Sequence, residues 1–291
     1  MTNPLHAAYY ADRACHERVT IVENVQIARD TYRVRFAFPR LARHITPGQF
    51  LMLRLAGYGD PLLGRPLALY DTVLQGGAQA QPTGVDIVYL VMGKMTRELA
   101  KLAPGQELEV WGPLGNGFPP VTAEHLIMVA GGIGQTPFLA LAREATGRRQ
   151  YGEPPRQVAP VSRVTLCYGA RSKDLLAGLD DFAALGVDIQ TATDDGTAGH
   201  HGLVTDVARD VLASSPDAQV ICCGPEPMME AMSEIAVALD VACQVSLETP
   251  MACGIGICFS CVAKVRDASG SWDYRRTCVE GPVFDARAIE W

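Results

Sequence analysis

LIMVAGGIGQTPFLALARE, residues 126–144, decides the fold. Five apolar residues in a row, Leu126 to Ala130, read as a buried strand. Gly131, Gly132 and Gly134 make a tight turn, and from Pro137 onward the apolar residues recur with helical spacing. A strand that is apolar on both faces needs cover on both faces, which is the habit of a parallel sheet flanked by helices. The glycines let the backbone approach a pyrophosphate, and the free N–H groups of a helix start present a positive dipole end. The match to G-x-G-x-x-G is incomplete, since Pro137 stands at the third glycine position. A tight strand-to-helix connection would explain the same glycines.

Working outward toward the C-terminus, VTLCY (164–168), VDIQT (187–191), VICCG (220–224) and QVSL (244–247) alternate with helical patterns. The helices are expected over Pro137 to Arg149, Lys173 to Leu185, Leu203 to Leu212 and Pro227 to Leu239. Residues 120–243 are thus expected to form a Rossmann-like nucleotide-binding α/β domain with a parallel sheet. The turn Cys222-Cys223-Gly224-Pro225 falls at the same carboxyl edge of that sheet as the glycine turn, where ligands bind in open α/β folds. Thr193 to Gly196 could meet a ribose there, although an Asp-Gly turn needs no ligand to explain it. The Pro-rich and basic stretch 146–163 reads as a solvated loop, and His200-His201 as part of another.

Toward the N-terminus the rhythm becomes that of short alternating strands: VTIVENVQIA (19–28), YRVRFAF (32–38), QFLMLRLA (49–56), VDIVYLVM (85–92) and ELEVWG (107–112). Residues 19–119 are expected to form an antiparallel β-barrel or sandwich, preceded by a polar leader over 1–18.

Beyond residue 244 neither pattern continues, and cysteines take over. Cys253-x4-Cys258-x2-Cys261, then sixteen residues, then Cys278, is the plant-type spacing for a 2Fe-2S cluster. Four thiolates satisfy two tetrahedral irons joined by sulfide. Gly254 and Gly256 allow a loop with positive φ to wrap the cluster and aim backbone N–H groups at sulfur. Structural zinc sites usually pair their ligands as two C-x2-C units, and the x4 gap with a lone fourth Cys breaks that pattern.

Composition excludes several classes. The 291 residues carry 25 Lys and Arg against 32 Asp and Glu, net −7, with no run of like charge, so nucleic acid is not an expected partner. The longest apolar stretches fall far short of the ~20 residues that span a bilayer. The N-terminus lacks the apolar segment of a signal peptide, so a reducing cytoplasm is expected, where nine cysteines are thiols or metal ligands.

The order of a barrel containing Arg65-Pro66-Leu67-Ala68, then GGIGQTP, then CGPEPM, resembles the ferredoxin reductase flavoprotein family. The C-terminal CGIGICFSC loop narrows the resemblance to the electron-transfer subunit of NAD-linked (class 1B type) dihydroorotate dehydrogenases. WGPLGNGFP (111–119), SLETPMACGIG (246–256) and CVEGPVF (278–284) are similar to that subunit's signatures. The resemblance implies a multi-domain β plus α/β chain: an FAD-binding antiparallel β-barrel, a Rossmann-like NAD domain and a 2Fe-2S module over 244–291. It implies that Arg65, Pro66, Leu67, Ala68, Val88, Tyr89, Leu90, Met95 and Thr96 hold FAD, with Gly131, Gly132 and Gly134 at the nucleotide. Cys253, Cys258, Cys261 and Cys278 hold the cluster, and Cys223 is the candidate catalytic residue near the nicotinamide. The family's Arg-Pro-x-Ser reads Ala68 at its last position here, and Met95 replaces the glycine before Thr96. The implied activity passes electrons from the FMN of a dihydroorotate-oxidising catalytic subunit, through the cluster and FAD, to NAD, in a heterotetramer with two copies of each chain. A reductase subunit of a ferredoxin or hydrogenase complex would share all three modules. A zinc-bound interaction module is the alternative of a different class. Ile255, Ile257 and Phe259, apolar residues between the ligands, are expected either to meet the partner or to pack on the barrel.

Overall fold

The computed structural model describes residues 11–76, 80–215 and 217–291. The first ten residues of the expected leader lie outside the described residues. Within its remaining residues, after a short turn, β1 (Cys15–Ala28) begins. β1 changes partner along its length, because residues 15–20 pair with one strand and 21–28 with another, with irregular register at the change.

The chain continues through β2 (Thr31–Ala37), α1 (Pro39–His44), β3 (Phe50–Leu55), β4 (Arg65–Ala68), β5 (Asp71–Leu74), β6 (Pro82–Leu90), α2 (Lys94–Leu99) and β7 (Glu107–Leu114). The antiparallel order is β4-β3-β7-β1-β2-β6-β5. The two edge strands are consecutive, joined by Leu69 and Tyr70 alone; Leu69 N–H donates to Gln49 and Tyr70 N–H to Asp86, so the sheet curls until its ends meet at that corner. Alternation explains the interior: Ile21, Val34, Phe36, Leu51, Leu53, Ile87, Leu108 and Val110 are all buried in one cluster.

The second sheet contains β8 (His125–Gly131), β9 (Arg163–Ala170), β10 (Asp188–Thr193), β11 (His200–His201), β12 (Gln219–Cys223) and β13 (Ala242–Ser246). Helices α3 (Phe138–Ala145), α4 (Leu179–Ala183), α5 (Val204–Ala213) and α6 (Glu226–Ala238) cover its two faces. All seven residues of β8 are buried, as its unbroken apolar run requires. The parallel order β10-β9-β8-β12-β13 reverses direction between β8 and β12, so the crevice at a topological switch point opens between the GGIG and CGP turns. His200 and His201 form a short parallel edge strand rather than a loop.

β13 runs across the expected boundary at 243/244. The chain then leaves the sheet, wraps the cysteines, forms the hairpin β14 (Val262–Arg266) with β15 (Trp272–Arg276), and returns as β16 (Val283–Asp285), antiparallel to β13. The cysteine segment is therefore an excursion pinned at both ends to the nucleotide sheet. Asn116, within WGPLGNGFP, secures the return: its side chain donates to the Val283 carbonyl at 2.8 Å and accepts from the Val283 N–H at 3.1 Å, acting as one more strand neighbour.

The stretch 146–163 is a clasp between the two sheets, not a free solvated loop. Arg149 donates to Asp71 of β5 at 2.9 Å and to the Thr72 carbonyl, and the Tyr151 hydroxyl donates to the same carboxylate at 2.7 Å. Arg143 of α3 pairs with Asp71 from the other side at 2.7 Å. Arg156 pairs with Glu144 of α3 and donates to the Phe118 carbonyl at 2.6 Å. Arg149, Arg156 and Arg163 of this stretch each have an acidic or carbonyl partner distant in sequence, the last in Asp188 at 2.8 Å, while Arg148 is exposed.

Candidate functional site

Where the barrel, the switch-point crevice and the cysteine excursion meet, they enclose a cavity of about 730 Å³. Arg65, Pro66, Leu67 and Ala68 of β4 line it, as do Val88, Tyr89 and Leu90 of β6 and Met95 and Thr96 of the α2 turn. Gly134 and Cys223 close it from the nucleotide domain. Gly131 and Gly132 do not line it.

The contributions differ in kind. Arg65 spends one guanidinium nitrogen on the carbonyls of Leu63 and Gly64, and among the described residues no carboxylate pairs with it. A planar fork of donors is thereby left at the cavity wall with its charge uncompensated. The Thr96 hydroxyl is occupied: it accepts from the N–H groups of Met92 and Gly93 at 3.1 Å each and donates back to the Gly93 carbonyl, so it shapes the turn rather than facing a ligand. With Thr96 closing the turn, Met95 in place of glycine is accommodated with its side chain buried in the barrel core. The Tyr89 side chain also runs into that core, where its hydroxyl donates to Asn24 at 3.0 Å and its ring stacks on Tyr32, leaving its backbone for the cavity. Val88, pointing the opposite way along the strand, joins the cluster beneath the nucleotide sheet.

The glycines of the two turns are demanded by each other. A Cβ on Gly134 would stand 2.5 Å from the Cys223 carbonyl carbon and 2.8 Å from Gly224 Cα, and one on Gly131 would strike Pro225 at 2.7 Å. Gly132 has φ of +55° and open space around its Cβ direction. The GGIG and CGP turns are thus packed backbone against backbone, and that contact delivers Cys223 to the cavity wall. Burial, with the Glu248 carboxylate nearby, pushes the Cys223 thiol up to about 12 against the opposing Ser246 hydroxyl, so it is neutral at physiological pH. Cys222 points into the core and is fully buried.

Ser246, Glu248, Thr249 and Met251 line the same cavity; the sequence marks them only within the segment SLETPMACGIG and not as individual site residues. The signal available was SLETPM directly after the last parallel strand, the edge at which such sheets bind ligands.

The cysteine loop packs on the barrel. Cys261, Cys278, Met251 and Val279 share a buried cluster with Phe50, Met52 and Leu114, and Trp111 donates its indole N–H to the Cys253 carbonyl at 2.9 Å. Gly254 and Gly256 have φ of +73° and +81°, and a Cβ on Gly254 would meet Met52 at 2.6 Å. The Ile255 N–H points at Cys253 Sγ, 3.4 Å away. The Ser260 hydroxyl, with Cys253 beside it, pulls the Cys258 thiol down, whereas the contact between Cys261 and Cys278 pulls the first down and pushes the second up. Four thiol side chains on one excursion are the donor set a two-iron cluster takes, and the positive-φ glycines with an N–H aimed at Cys253 Sγ suit a bulky group, so the residues fit the cluster. Of the three apolar loop residues, Ile255 packs into the buried cluster while Ile257 and Phe259 are 66% and 56% exposed.

A second, open concavity of about 760 Å³ lies at the ends of β9 and β10, lined by Arg29, Arg171, Ser172, Lys173, Asp174, Asp195 and Thr197. Asp194 is not part of that lining, whereas Asp195 from the Asp-Gly turn is. Among the described residues no helix is long and apolar enough to cross a membrane.

A curled antiparallel sheet joined at a cavity to a switch-point parallel sheet defines a ferredoxin reductase-type flavoprotein, here with its own cluster loop. Three family models divide the chain the same way: an oxidoreductase FAD-binding domain over 18–118, an oxidoreductase NAD-binding domain over 128–234, and the iron-sulfur cluster binding domain of dihydroorotate dehydrogenase B over 248–290. Curated relatives named dihydroorotate dehydrogenase B (NAD(+)), electron transfer subunit, include one from Caldanaerobacter subterraneus, 33% identical with 94% of this chain and 97% of that one covered. Another, from Bacillus caldolyticus, is 36% identical over 94% and 98%. The chain belongs to this family of electron transfer subunits. Among solved structures, that of an NADH-dependent reduced ferredoxin-NADP oxidoreductase is similar at 29% identity and a TM-score of 0.77, over 94% of this chain and 90% of that chain. The ferredoxin reductase of a carbazole 1,9a-dioxygenase, 18% identical with a TM-score of 0.64 over 78% and 67%, shares the fold.

Proposed function

We propose that this chain relays electrons between a dihydroorotate-oxidising, FMN-containing partner subunit and NAD in pyrimidine biosynthesis. One observation carries the reading: Ala252 and Ser260, each adjacent to a cluster cysteine, line the same cavity as Arg65 and Cys223. The cluster site and the flavin cavity share a wall, and electron transfer needs them close. When bound, FAD supplies the exchange between a hydride and single electrons, and the cluster carries those electrons one at a time. Cys253, Cys258, Cys261 and Cys278 would hold the cluster. Arg65 would clamp the flavin pyrophosphate, with the backbones of Leu67, Ala68, Tyr89 and Leu90 and the Met95–Thr96 turn along the flavin. Ala68 offers no hydroxyl, so that contact is made by backbone alone. Gly134 would bring the nicotinamide face together with Cys223, which contributes as a neutral thiol rather than a nucleophile.

Ile257 and Phe259, exposed beside the ligands, would form part of the partner's contact surface, in a cytoplasmic assembly of two copies of each subunit. NAD rather than NADP is the proposed acceptor. The reading is tested by reconstitution. The chain alone should reduce dyes with NADH and leave dihydroorotate untouched, and adding the catalytic subunit should produce dihydroorotate-dependent NAD reduction. Oxidation of dihydroorotate by the single chain would overturn it.

A further inference from the structure

We propose that Ser260 tunes the cluster's reduction potential and ties the ligand loop to the flavin cavity; this rests on the cluster assignment above. Its Oγ stands 3.1 Å from Cys258 Sγ and accepts the Ala252 N–H at 3.2 Å. A hydroxyl has one proton to give. With a backbone N–H already pointing into the oxygen, that proton is directed at the sulfur, and a ligating thiolate is an acceptor only.

The local backbone is bent to make this contact. Phe259 holds φ at +56°, a left-handed conformation unfavourable to a residue with a Cβ. The bend turns the Phe259 ring over the Arg276 guanidinium, 5.0 Å away, and the Ser260 hydroxyl toward Ala252 and Cys258. Such strain persists where the surroundings over-determine it and gathers at functional positions. Arg276 is itself held by the Gly256 carbonyl at 3.0 Å, so the bend is braced from the same glycine cradle.

Ser260 also lines the flavin cavity, which places a ligand-sulfur hydrogen bond on the wall between the two electron carriers. A proton donated to sulfur stabilises the more negative, reduced cluster. The expected effect is about tenfold in the one-electron equilibrium, equivalent to ~59 mV.

The test uses the complex carrying S260A, S260T and S260V, with Thr and Val nearly equal in shape and differing in the hydroxyl. The readouts are iron and sulfide content and an EPR-monitored redox titration. Wild type must first show the cluster signal; its absence there refutes the cluster assignment itself. Given that signal, the clusters of S260A and S260V should titrate at a potential ~59 mV below wild type, the equivalent of tenfold in the one-electron equilibrium, and S260T close to wild type. Cluster loss in Ala and Val but not Thr also supports the hydroxyl's role. An unshifted potential in S260A and S260V, or a shift or cluster loss in S260T equal to theirs, overturns the proposal.

Discussion

Replacing Gly134 by alanine drives a methyl group into the CGP turn. Its Cβ would lie 2.5 Å from the Cys223 carbonyl carbon and 2.8 Å from Gly224 Cα, against a usual contact of about 3.5 Å or more. Both neighbours are backbone, so no flexible side chain can give way, and the two turns must part by about 1 Å. Cys223 moves with its turn, while Arg65 and β6 on the barrel side stay in place. A misplacement of about 1 Å at a site of group transfer can cost on the order of 100-fold. The expectation for G134A is therefore a ~100-fold fall in kcat/KM for NADH-dependent dye reduction, with the FAD content of the purified protein retained. Gly132→Ala is the control: its Cβ meets open space, so only the strain at φ of +55° remains, and thermal stability should suffer more than turnover. Stopped-flow reduction of the flavin by NADH measures the step directly. A G134A protein that keeps its FAD and reduces it within threefold of the wild-type rate would refute the turn-against-turn account of the site.

Arg65→Ala should weaken FAD retention by roughly 10- to 150-fold, the equivalent of a charge-assisted hydrogen bond of ~1.5–3 kcal/mol, seen as flavin loss on gel filtration; full retention would remove Arg65 from the site. Asp71 is 6% exposed between Arg143, Arg149 and Tyr151, so Asp71→Ala leaves two cations unpaired at the clasp. That should cost about 3–5 kcal/mol and lower Tm by roughly 10 °C, and a shift under about 2 °C would show that the clasp is not holding the domains. The Cys223 thiol, pushed up to about 12, stays neutral throughout the physiological range because its charged form appears only as pH approaches that value. The thiolate is the reacting form, so alkylation of Cys223 in the native protein should be slow and keep climbing with pH without levelling off up to about pH 10, and a rate that levels off just above the ordinary thiol value of ~8.5 would contradict the burial argument.

Much of this architecture was legible because its signals are local. The five apolar runs of the nucleotide sheet and the five longer strands of the barrel are each long enough to show their period, and the cysteine spacing needs no tertiary information. β4 and β5 were missed because four residues each, one pair broken by Pro66, carry no readable alternation. The β14–β15 hairpin was missed for a different reason: its strands are largely exposed, with Trp272 and Tyr274 facing outward, so no buried face imprints a pattern. The clasp was misread because Arg149 and Arg156 declare a loop by composition, while their partners Asp71 and Phe118 lie 78 and 38 residues away. In the site, Arg65 and the cysteines carry motif signals of their own, whereas Ser246 and Glu248 are marked only by following the last parallel strand, a position rather than a motif.

The central claim is that one chain holds a flavin and a two-iron cluster across a shared wall. Cofactor analysis with EPR on anaerobically purified protein tests it most directly. The account predicts one FAD, two irons and two sulfides per chain, with dithionite eliciting about one spin from the reduced cluster. Flavin without sulfide, or zinc in place of iron, would contradict it.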